Sequence, residues 1–452
     1  MKILIIGCGK IGSTILASLV SEGHDVVAVD NNPDVIAEMT NIYDVMGVCG
    51  NGADCDVLEE AGAASADLLV ATTDSDELNM LSCHLAKCMG TDYTIARIRN
   101  PEYNDKSLGF MKKHLNLDMS INPERLAAHE LFNILKLPSA AKIETFSIRN
   151  FEMIELRLKP DSVLDGMKII DLRSKFDAKF LICAVQRGEE AYIPDGNFVL
   201  KSGDKIGLTA SPAEINKLLK EMGILQKKAR NVMILGGSRT AYYLAKRLTL
   251  SGNSVTIVER DRKICEELCE ALPKAVVING DGAQQELLLE EGLHSWDAFV
   301  ALTGMDEENL LVSSFVQSKN VPKVIAKVNR EELIPLAEHW GIDCIVSPRK
   351  IISNILVKFA RALENSVGSS VETLYKLMDD KVEALEFKVK ADFGAINIPL
   401  KDLETKPNTL IAGIMRDRKP IIPTGEDVLL PDDKVVVLAA NTRIHSLSDI
   451  LK

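Results

Sequence analysis

No run of apolar residues in this chain approaches the length needed to cross a bilayer, so neither a membrane-spanning helix nor direct membrane insertion is expected. Positive charge is also scarce. Against 65 Asp and Glu stand 53 Lys and Arg, a net charge of −12, whereas a protein that neutralises a phosphate backbone presents a basic face; nucleic acid is not an expected partner. The nine cysteines show no framework spacing, and an odd, scattered set fits a chain kept in a reducing cytoplasm. Cys265 and Cys269 fall on one expected helix, but no His or Cys stands close to them in sequence, which favours core packing over a metal site. Met1-Lys2 and the apolar run after it imitate a signal peptide, and Ile5-Ile6-Gly7-Cys8 even imitates a lipoprotein cleavage site. That run is too short, and its pattern returns inside the chain at Val232 to Gly236, so a buried strand is expected instead.

What the chain does have is a duplication. The opening Lys2-Ile3-Leu4-Ile5-Ile6-Gly7-Cys8-Gly9-Lys10-Ile11-Gly12 returns as Asn231-Val232-Met233-Ile234-Leu235-Gly236-Gly237-Ser238-Arg239-Thr240-Ala241. Asp30 stands as far from Gly7 as Glu259 does from Gly236. Gly50-Asn51-Gly52-Ala53 pairs with Gly280-Asp281-Gly282-Ala283, and Thr73-Asp74-Ser75-Asp76-Glu77-Leu78-Asn79 with Thr303-Gly304-Met305-Asp306-Glu307-Glu308-Asn309. A repeat that spans 452 residues leaves no room for a separate catalytic domain. Its unit of roughly 225 residues is itself large enough for a larger and a smaller domain.

Lys2 to Ile6 reads as a central strand of a parallel sheet, Ile11 to Ser21 as a helix, and Asp25 to Asp30 as the next strand, together a βαβ unit. The alternation continues through strand Val45 to Gly50, helix Asp54 to Ala61, strand Asp67 to Thr72, helix Asp76 to Met89 and strand Tyr93 to Arg97, which implies a doubly wound sheet. After Pro138 the pattern changes to short alternating runs broken by Asp165-Gly166, Arg187-Gly188, Asp195-Gly196 and Ser202-Gly203-Asp204, closed by a helix near Pro212 to Met222. This β-rich module repeats around Gly413 to Lys434. An amphipathic helix over Asn122 to Leu137, and its counterpart from Pro348 to Leu363, carries the chain from sheet to module. The expected class is α/β: two tandem Rossmann-type doubly wound parallel sheets, each followed by a small β-rich α+β module. The expected domains are 1–140, 141–228, 229–366 and 367–452, with Gln226-Lys227-Lys228-Ala229 as the joint between the halves.

Gly7-x-Gly9-x-x-Gly12, between a strand and a helix, is a dinucleotide fingerprint in its proper context. Gly7 permits the tight turn, Gly9 lets a pyrophosphate reach the backbone at the positive end of the helix, and Gly12 lets helix and strand approach. Asp30 is placed to accept from a ribose diol, and its charge disfavours a 2′-phosphate, selecting NAD or an adenosine nucleotide. Lys10 stands either beside a terminal phosphate or in solvent. Thr72-Thr73-Asp74 ends a strand on the side where open parallel sheets bind ligands, and Arg97 ends the next strand, where it can close over phosphate or ribose; Arg99 reads equally as a surface charge. In the second half Ser238 and Ala241 replace two of the three glycines. Ser238 either adds bulk at the pyrophosphate approach or donates a hydrogen bond, so different occupancy is expected there, with Gly236, Gly237, Arg239 and Glu259 still in favour of a nucleotide.

The chain resembles the TrkA family, cytoplasmic nucleotide-binding regulatory subunits of bacterial Trk-type potassium uptake systems. The residues that carry the resemblance are Ile6-Gly7-Cys8-Gly9-Lys10-Ile11-Gly12, Val29-Asp30, Gly50-Asn51-Gly52, Ala63-Ala64-Ser65-Ala66-Asp67, Ala71-Thr72-Thr73-Asp74-Ser75-Asp76-Glu77-Leu78-Asn79-Met80 and Ala96-Arg97-Ile98-Arg99. It implies tandem domains of the kind that regulate potassium conductance, assembled as a homo-oligomer, a tetramer by analogy, into a ring on the inner face of the plasma membrane beneath a channel subunit of the TrkH type. It implies NAD(H) and ATP or ADP as ligands. Phosphates would then be held by Gly7, Cys8, Gly9, Lys10, Ile11 and Gly12, the ribose by Asp30 with Asn31, and the remainder by Asn51, Gly52, Thr72, Thr73, Asp74 and Arg97. The second site would comprise Gly236, Gly237, Ser238, Arg239, Thr240, Glu259, Asp281 and Thr303.

The expected function is thus a non-enzymatic, ligand-gated regulator of potassium transport. An NAD-dependent oxidoreductase with duplicated Rossmann domains is the alternative. It would need a proton-transfer residue and a substrate pocket beside the nicotinamide, yet the β modules are small for a substrate domain. A third reading is a nucleotide sensor that serves a different transporter.

Overall fold

The computed structural model describes residues 1–452 except 104, 138, 140, 141, 147–150, 227, 343, 367–370, 379, 441, 443 and 445. The expected boundaries at residues 140, 141 and 367, with Pro138 and Lys227 of the joint, lie outside the described residues. Those described form two compact units: Met1–His129 with Ser347–Ala360, and Glu130–Val346 with Arg361–Lys452.

The first unit is built on a parallel sheet of β1 (Lys2–Ile6), β2 (Asp25–Asp30), β3 (Met46–Cys49), β4 (Leu68–Ala71), β5 (Tyr93–Arg97) and β6 (Met119–Ile121), in the order β3-β2-β1-β4-β5-β6. Ile3 to Ile6 and Leu68 to Ala71 are fully or almost fully buried, as central strands covered by helices on both faces must be. The strand order reverses between β2-β1 and β4, and the crevice at that reversal is where a doubly wound sheet binds ligands. Two helices and an edge strand supplement the expected alternation. Helix Pro33–Tyr43 starts behind Asn32, whose Oδ1 accepts from the Asp34 N–H at 2.9 Å, with Pro33 in the first turn. Helix Asp105–His114 and the short β6 close the sheet.

The last helix of this unit comes from the far end of the chain. Helix Pro348–Ser366, expected only to link the second sheet to its module, belongs to the first unit as far as Ala360. Ser353 Oγ sits 2.5 Å from Ser18 Oγ, and the Phe359 ring meets Tyr93 edge-on at 6.2 Å.

The second unit holds three sheets. β7 (Lys142–Thr145), β8 (Glu152–Arg157), β9 (Leu181–Arg187), β10 (Glu190–Tyr192) and β11 (Lys205–Ala210) form the first antiparallel module, in the order β10-β9-β11-β8-β7. The second parallel sheet comprises β12 (Asn231–Leu235), β13 (Ser254–Glu259), β14 (Val276–Asn279), β15 (Ala298–Ala301), β16 (Lys323–Lys327) and β17 (Ile345–Val346), ordered β14-β13-β12-β15-β16-β17 like the first. The second module comprises β18 (Val371–Leu377), β19 (Val382–Lys388), β20 (Thr409–Arg416), β21 (Lys419–Ile421) and β22 (Lys434–Ala440). Its repeat of the first is imperfect: where helix Pro212–Glu221 closes the first module, a short 3-10 turn, Leu447–Ile450, closes the second. The end of helix Pro123–Lys136 belongs here as well, with the Arg247 guanidinium 4.7 Å from the Phe132 ring centre.

The two modules share one core. Phe151, Met153, Cys183 and Ala184 pack with Leu377, Met378, Val436 and Leu438. Buried Glu155 accepts the Met378 N–H at 3.1 Å, and Lys142 donates to the Lys376 carbonyl at 3.2 Å. Burial works against the Lys142 charge, but Glu144 and Glu155 outweigh it and hold its pKa above the ordinary value. At the centre of this core a β-carbon on Gly413 would fall 2.3 Å from Cζ of Phe151. Gly413→Val therefore forces the ring to move and is expected to destabilise the module pair by about 1–3 kcal/mol, read as a lower midpoint of thermal unfolding.

Candidate functional site

The first cleft starts where β1 stops. Gly7 takes φ +85°, and a β-carbon there would sit 2.7 Å from the Thr73 nitrogen; one on Gly12 would sit 2.0 Å from the Gly7 carbonyl oxygen. Gly9 differs from both, because nothing lies within 4 Å of the position its β-carbon would take. It is the N-cap of helix Lys10–Ser21, which has no side-chain cap and no acidic residue in its first turn. The positive end of that helix thus faces open space lined by bare backbone, an arrangement suited to an anion.

Asp30 is held rigidly beside this opening. Its Oδ2 accepts the Cys8 N–H at 2.7 Å and its Oδ1 the Asn32 N–H at 2.9 Å, so two backbone groups orient the carboxylate. Cys8 contributes through its backbone only: the side chain is buried, and burial first, then the Asp30 charge, push the thiol pKa up to about 12. Lys10 and Asn31 are exposed at the rim, and Ile11 is half-buried in the first helical turn. Asn51 turns the following loop by accepting the Ala53 N–H at 3.1 Å, and Gly52 lies so close that a β-carbon would fall 2.1 Å from Ile6 Cγ2.

The far wall is a hydrogen-bonded clamp. Thr72 is buried and donates to the Gly7 carbonyl at 2.7 Å, so its hydroxyl acts on the loop from behind. Asn79 accepts from the Thr73 N–H at 2.8 Å and the Thr73 hydroxyl at 2.7 Å, and donates to the carbonyls of Thr73 at 3.0 Å and Arg97 at 2.9 Å. Asp76 accepts the N–H groups of Arg99 and Asn100 at 2.9 and 2.7 Å. Arg97 is buried, and burial and the neighbouring Arg99 lower its pKa; its Nη2 donates to the Thr73 carbonyl at 2.6 Å and to Asp74 at 3.1 Å. Arg99 pairs with Glu124 at 2.6 Å. Asp76 and Asn79 served in the sequence as marks of the repeat and of the resemblance and were not named as site residues, yet their positioning role was signalled there: with Thr73 they are kept identically in the second half, as Asp306, Asn309 and Thr303.

The second cleft repeats the frame and changes the mouth. Gly236 takes φ +93°. Glu259 accepts the Gly237 N–H at 2.5 Å and the Asp261 N–H at 2.8 Å, as Asp30 does with its own pair. Asn309 clamps Thr303 at 2.9 and 2.8 Å, and Asp306 accepts the N–H groups of Asn329 and Arg330, both at 2.9 Å. Gly236, Gly237, Ser238, Glu259, Asp281 and Thr303 line a cleft of about 310 Å³, whereas Arg239 and Thr240 stand outside its lining. Lys327 takes the place of Arg97. Ser238 caps helix Arg239–Leu250, its side chain accepting the Ala241 N–H at 3.4 Å. A phosphate at this helix would have to displace that cap, and caps of this kind stabilise by about 1 kcal/mol.

The TrkA-N domain family matches residues 3–122 and 232–348, and the TrkA-C domain family matches residues 153–223 and 384–452. The chain belongs to the TrkA family. It is 30% identical to the Trk system potassium uptake protein TrkA homolog 2 of Methanosarcina mazei over 100% of both chains. With the Trk system potassium uptake protein TrkA of Vibrio alginolyticus it shares 31% identity over 99% of this chain and 97% of that one. Among solved structures it is similar to the GsuK RCK domain, with a TM-score of 0.62 and 19% identity over 97% of this chain and 92% of that one. It is also similar to a GsuK channel bound to NAD, with a TM-score of 0.61 and 18% identity over 97% of this chain and 77% of that one. At such identities these two likenesses are of fold, and the fold is that of tandem RCK domains. No helix among the described residues is long and apolar enough to cross a membrane, and no cluster of metal-ligating side chains occurs among them.

For this TrkA-family chain, Asn79→Ala strips the clamp from buried backbone groups and is expected to cost on the order of 2–3 kcal/mol, with Asn309→Ala comparable, each read as a lowered thermal midpoint. The raised thiol of Cys8 gives a second expectation. Its contribution to stability is complete below the ordinary value of 9.0 and is lost as pH rises toward about 12. Iodoacetamide at pH 8 should accordingly alkylate exposed Cys49 and Cys55 and spare Cys8, as peptide mass mapping would show.

Proposed function

We propose that this chain is a nucleotide-binding regulatory subunit of a potassium uptake system, and that NAD(H) and ATP or ADP compete for its clefts. One observation carries the reading: the uncapped helix end at Gly9 faces the same opening as Asp30, whose carboxylate is already oriented by two backbone N–H groups. A pyrophosphate suits the first and a ribose diol the second. Membership of the TrkA family supports a role in potassium uptake. In this reading Gly7, Gly9, Lys10, Ile11 and Gly12 surround the phosphates, while Thr73, Asp74 and Arg97 border the rest of the ligand. The second cleft, with Gly237, Glu259, Asp281 and Thr303, takes a nucleotide more weakly because Ser238 must give way.

The chain acts by shape and catalyses no reaction. A nucleotide shifts a conformational equilibrium by its difference in affinity between two states, and a few kcal/mol suffices to invert the populations. The readout partner is a membrane potassium channel subunit of the TrkH type, engaged from the cytoplasmic face by a homo-oligomeric ring, a tetramer by analogy. The working division is into domains 1–140, 141–228, 229–366 and 367–452, one sheet and one module in each half.

Calorimetric titration of the purified protein with NADH, NAD, ATP and ADP tests this. Asp30→Ala should weaken the tighter phase by about tenfold or more, Glu259→Ala should affect only a weaker phase, and Ser238→Gly should strengthen that weaker phase. Absence of binding by all four nucleotides, or binding indifferent to both acidic substitutions, would overturn the reading.

A further inference from the structure

The two glycine-loop clefts share a frame and differ in charge. Glu259, Asp261, Asp281 and Glu308 line the second, against one cation among the described residues, Arg260. Three of these four acids belong to the second half alone: the residues at the corresponding positions of the first half are Asn32, Asn51 and Leu78. At one position the trend is opposite. Asp74 answers to Gly304, but in the first half that acid is paired with Arg97 at 3.1 Å.

Local structure does not account for the added charge. Asp261 Oδ1 accepts the Lys263 N–H at 2.8 Å as the cap of helix Arg262–Ala271, and Asp281 Oδ1 accepts the Ala283 N–H at 3.1 Å. Asn32 and Asn51 make the same two bonds through neutral amides, to the N–H groups of Asp34 and Ala53 at 2.9 and 3.1 Å. An oxygen acceptor is therefore all that the turn and the cap require, and a side-chain amide provides it as well as a carboxylate does.

The charge decides what the cleft excludes. Repulsion between like charges acts over several ångströms and needs no contact, so every phosphate a ligand carries meets the field of four carboxylates. The helix end that would receive a phosphate is also taken, because the Ser238 side chain caps it. What remains suits an uncharged ligand. Glu259, oriented by the N–H groups of Gly237 and Asp261, keeps the acceptor for a ribose diol. Val258, Ile264 and Met305 add apolar lining, Met305 in the place of Ser75. A volume of about 310 Å³ is at the lower end of the range of small-molecule sites, which suits a single nucleoside.

Building on the nucleotide-type cleft proposed above, on which this rests, we infer that the second cleft selects an uncharged ribonucleoside. Glu259 holds it by the diol, and Asp261, Asp281 and Glu308 turn its phosphorylated forms away. The two clefts then differ in the kind of ligand they take, phosphorylated in the first and unphosphorylated in the second.

The test is calorimetric titration of the full-length Asp30→Ala protein, in which the first cleft is weakened, with adenosine, AMP and ADP, each without and with Mg²⁺. Adenosine should bind about tenfold or more tighter than ADP, with AMP between them, and the difference should shrink as salt is raised. Adding Glu259→Ala should abolish the adenosine phase. Combining Asp261→Asn, Asp281→Asn and Glu308→Leu gives this cleft the residues of the first half and should narrow the difference about tenfold, chiefly by tightening ADP. Asparagine retains both backbone bonds, so this variant keeps its fold, which its thermal midpoint checks. ADP as tight as adenosine in the Glu259-dependent phase, a difference unmoved by the three substitutions, or tight ADP binding once Mg²⁺ is present overturns the inference and leaves the nucleotide reading standing. Binding of none of the three ligands that responds to Glu259→Ala overturns the second cleft as a site, and the inference with it.

Discussion

Everything at the mouth of each cleft depends on one side-chain amide. Asn79 ties the end of β4 to the end of β5 at the point where the sheet's topology opens, and Asn309 does the same between β15 and β16. A parallel sheet ends in carbonyl and N–H groups that have lost their ladder partners, and in a crevice meant for ligand they cannot be covered by more protein. An amide with two donors and an acceptor satisfies several at once from a helix behind the crevice. With those strand ends fixed, Thr72 can hold the Gly7 carbonyl and Gly12 can approach it, which sets the shape of the glycine loop. The acid at the end of the second strand then needs only two backbone N–H groups to be oriented.

The halves show what duplication preserves and what it lets drift. The clamp, the oriented acid and the strand order recur in both, because each half must solve the same problem of a sheet with an open end. The mouth has diverged: bare backbone at Gly9, a hydroxyl cap at Ser238, a guanidinium at Arg97 and an ammonium at Lys327. A self-capped helix end has already met part of its own electrostatic demand, and an uncapped one has not. Both β modules, meanwhile, contribute to a single core around Phe151, so a change felt by one module is passed through packing to the other.

Much of this was legible in the chain. Buried runs such as Lys2–Ile6 and the glycine spacing revealed the parallel sheets, since period, length and special backbone conformations are local properties. Helix Pro33–Tyr43 escaped notice although Asn32-Pro33 is a start signal, because its apolar residues, Ile36 and Met39, are few and its outer face is solvated. The edge strand β6, with three residues, is below the length at which alternation can be recognised. At the site, Asp30 and Glu259 could be located by spacing, but the inward turn of Cys8 and the self-cap at Ser238 depend on rotamers. The partners of Arg97 are set by loops distant in sequence. The setting of helix Pro348–Ser366 on the first unit was invisible, since an amphipathic stripe says that a helix is covered and does not say by what.

That helix has a consequence for how the chain comes into being. Residues emerge from a ribosome in order, and domains commonly fold as they emerge. The first sheet can form early, yet the surface around Ser18 and Tyr93 receives its cover only when Ser353 and Phe359 have been made. Through most of synthesis, then, the nascent N-terminal half carries an unfinished face, and the time it remains so is set by translation speed.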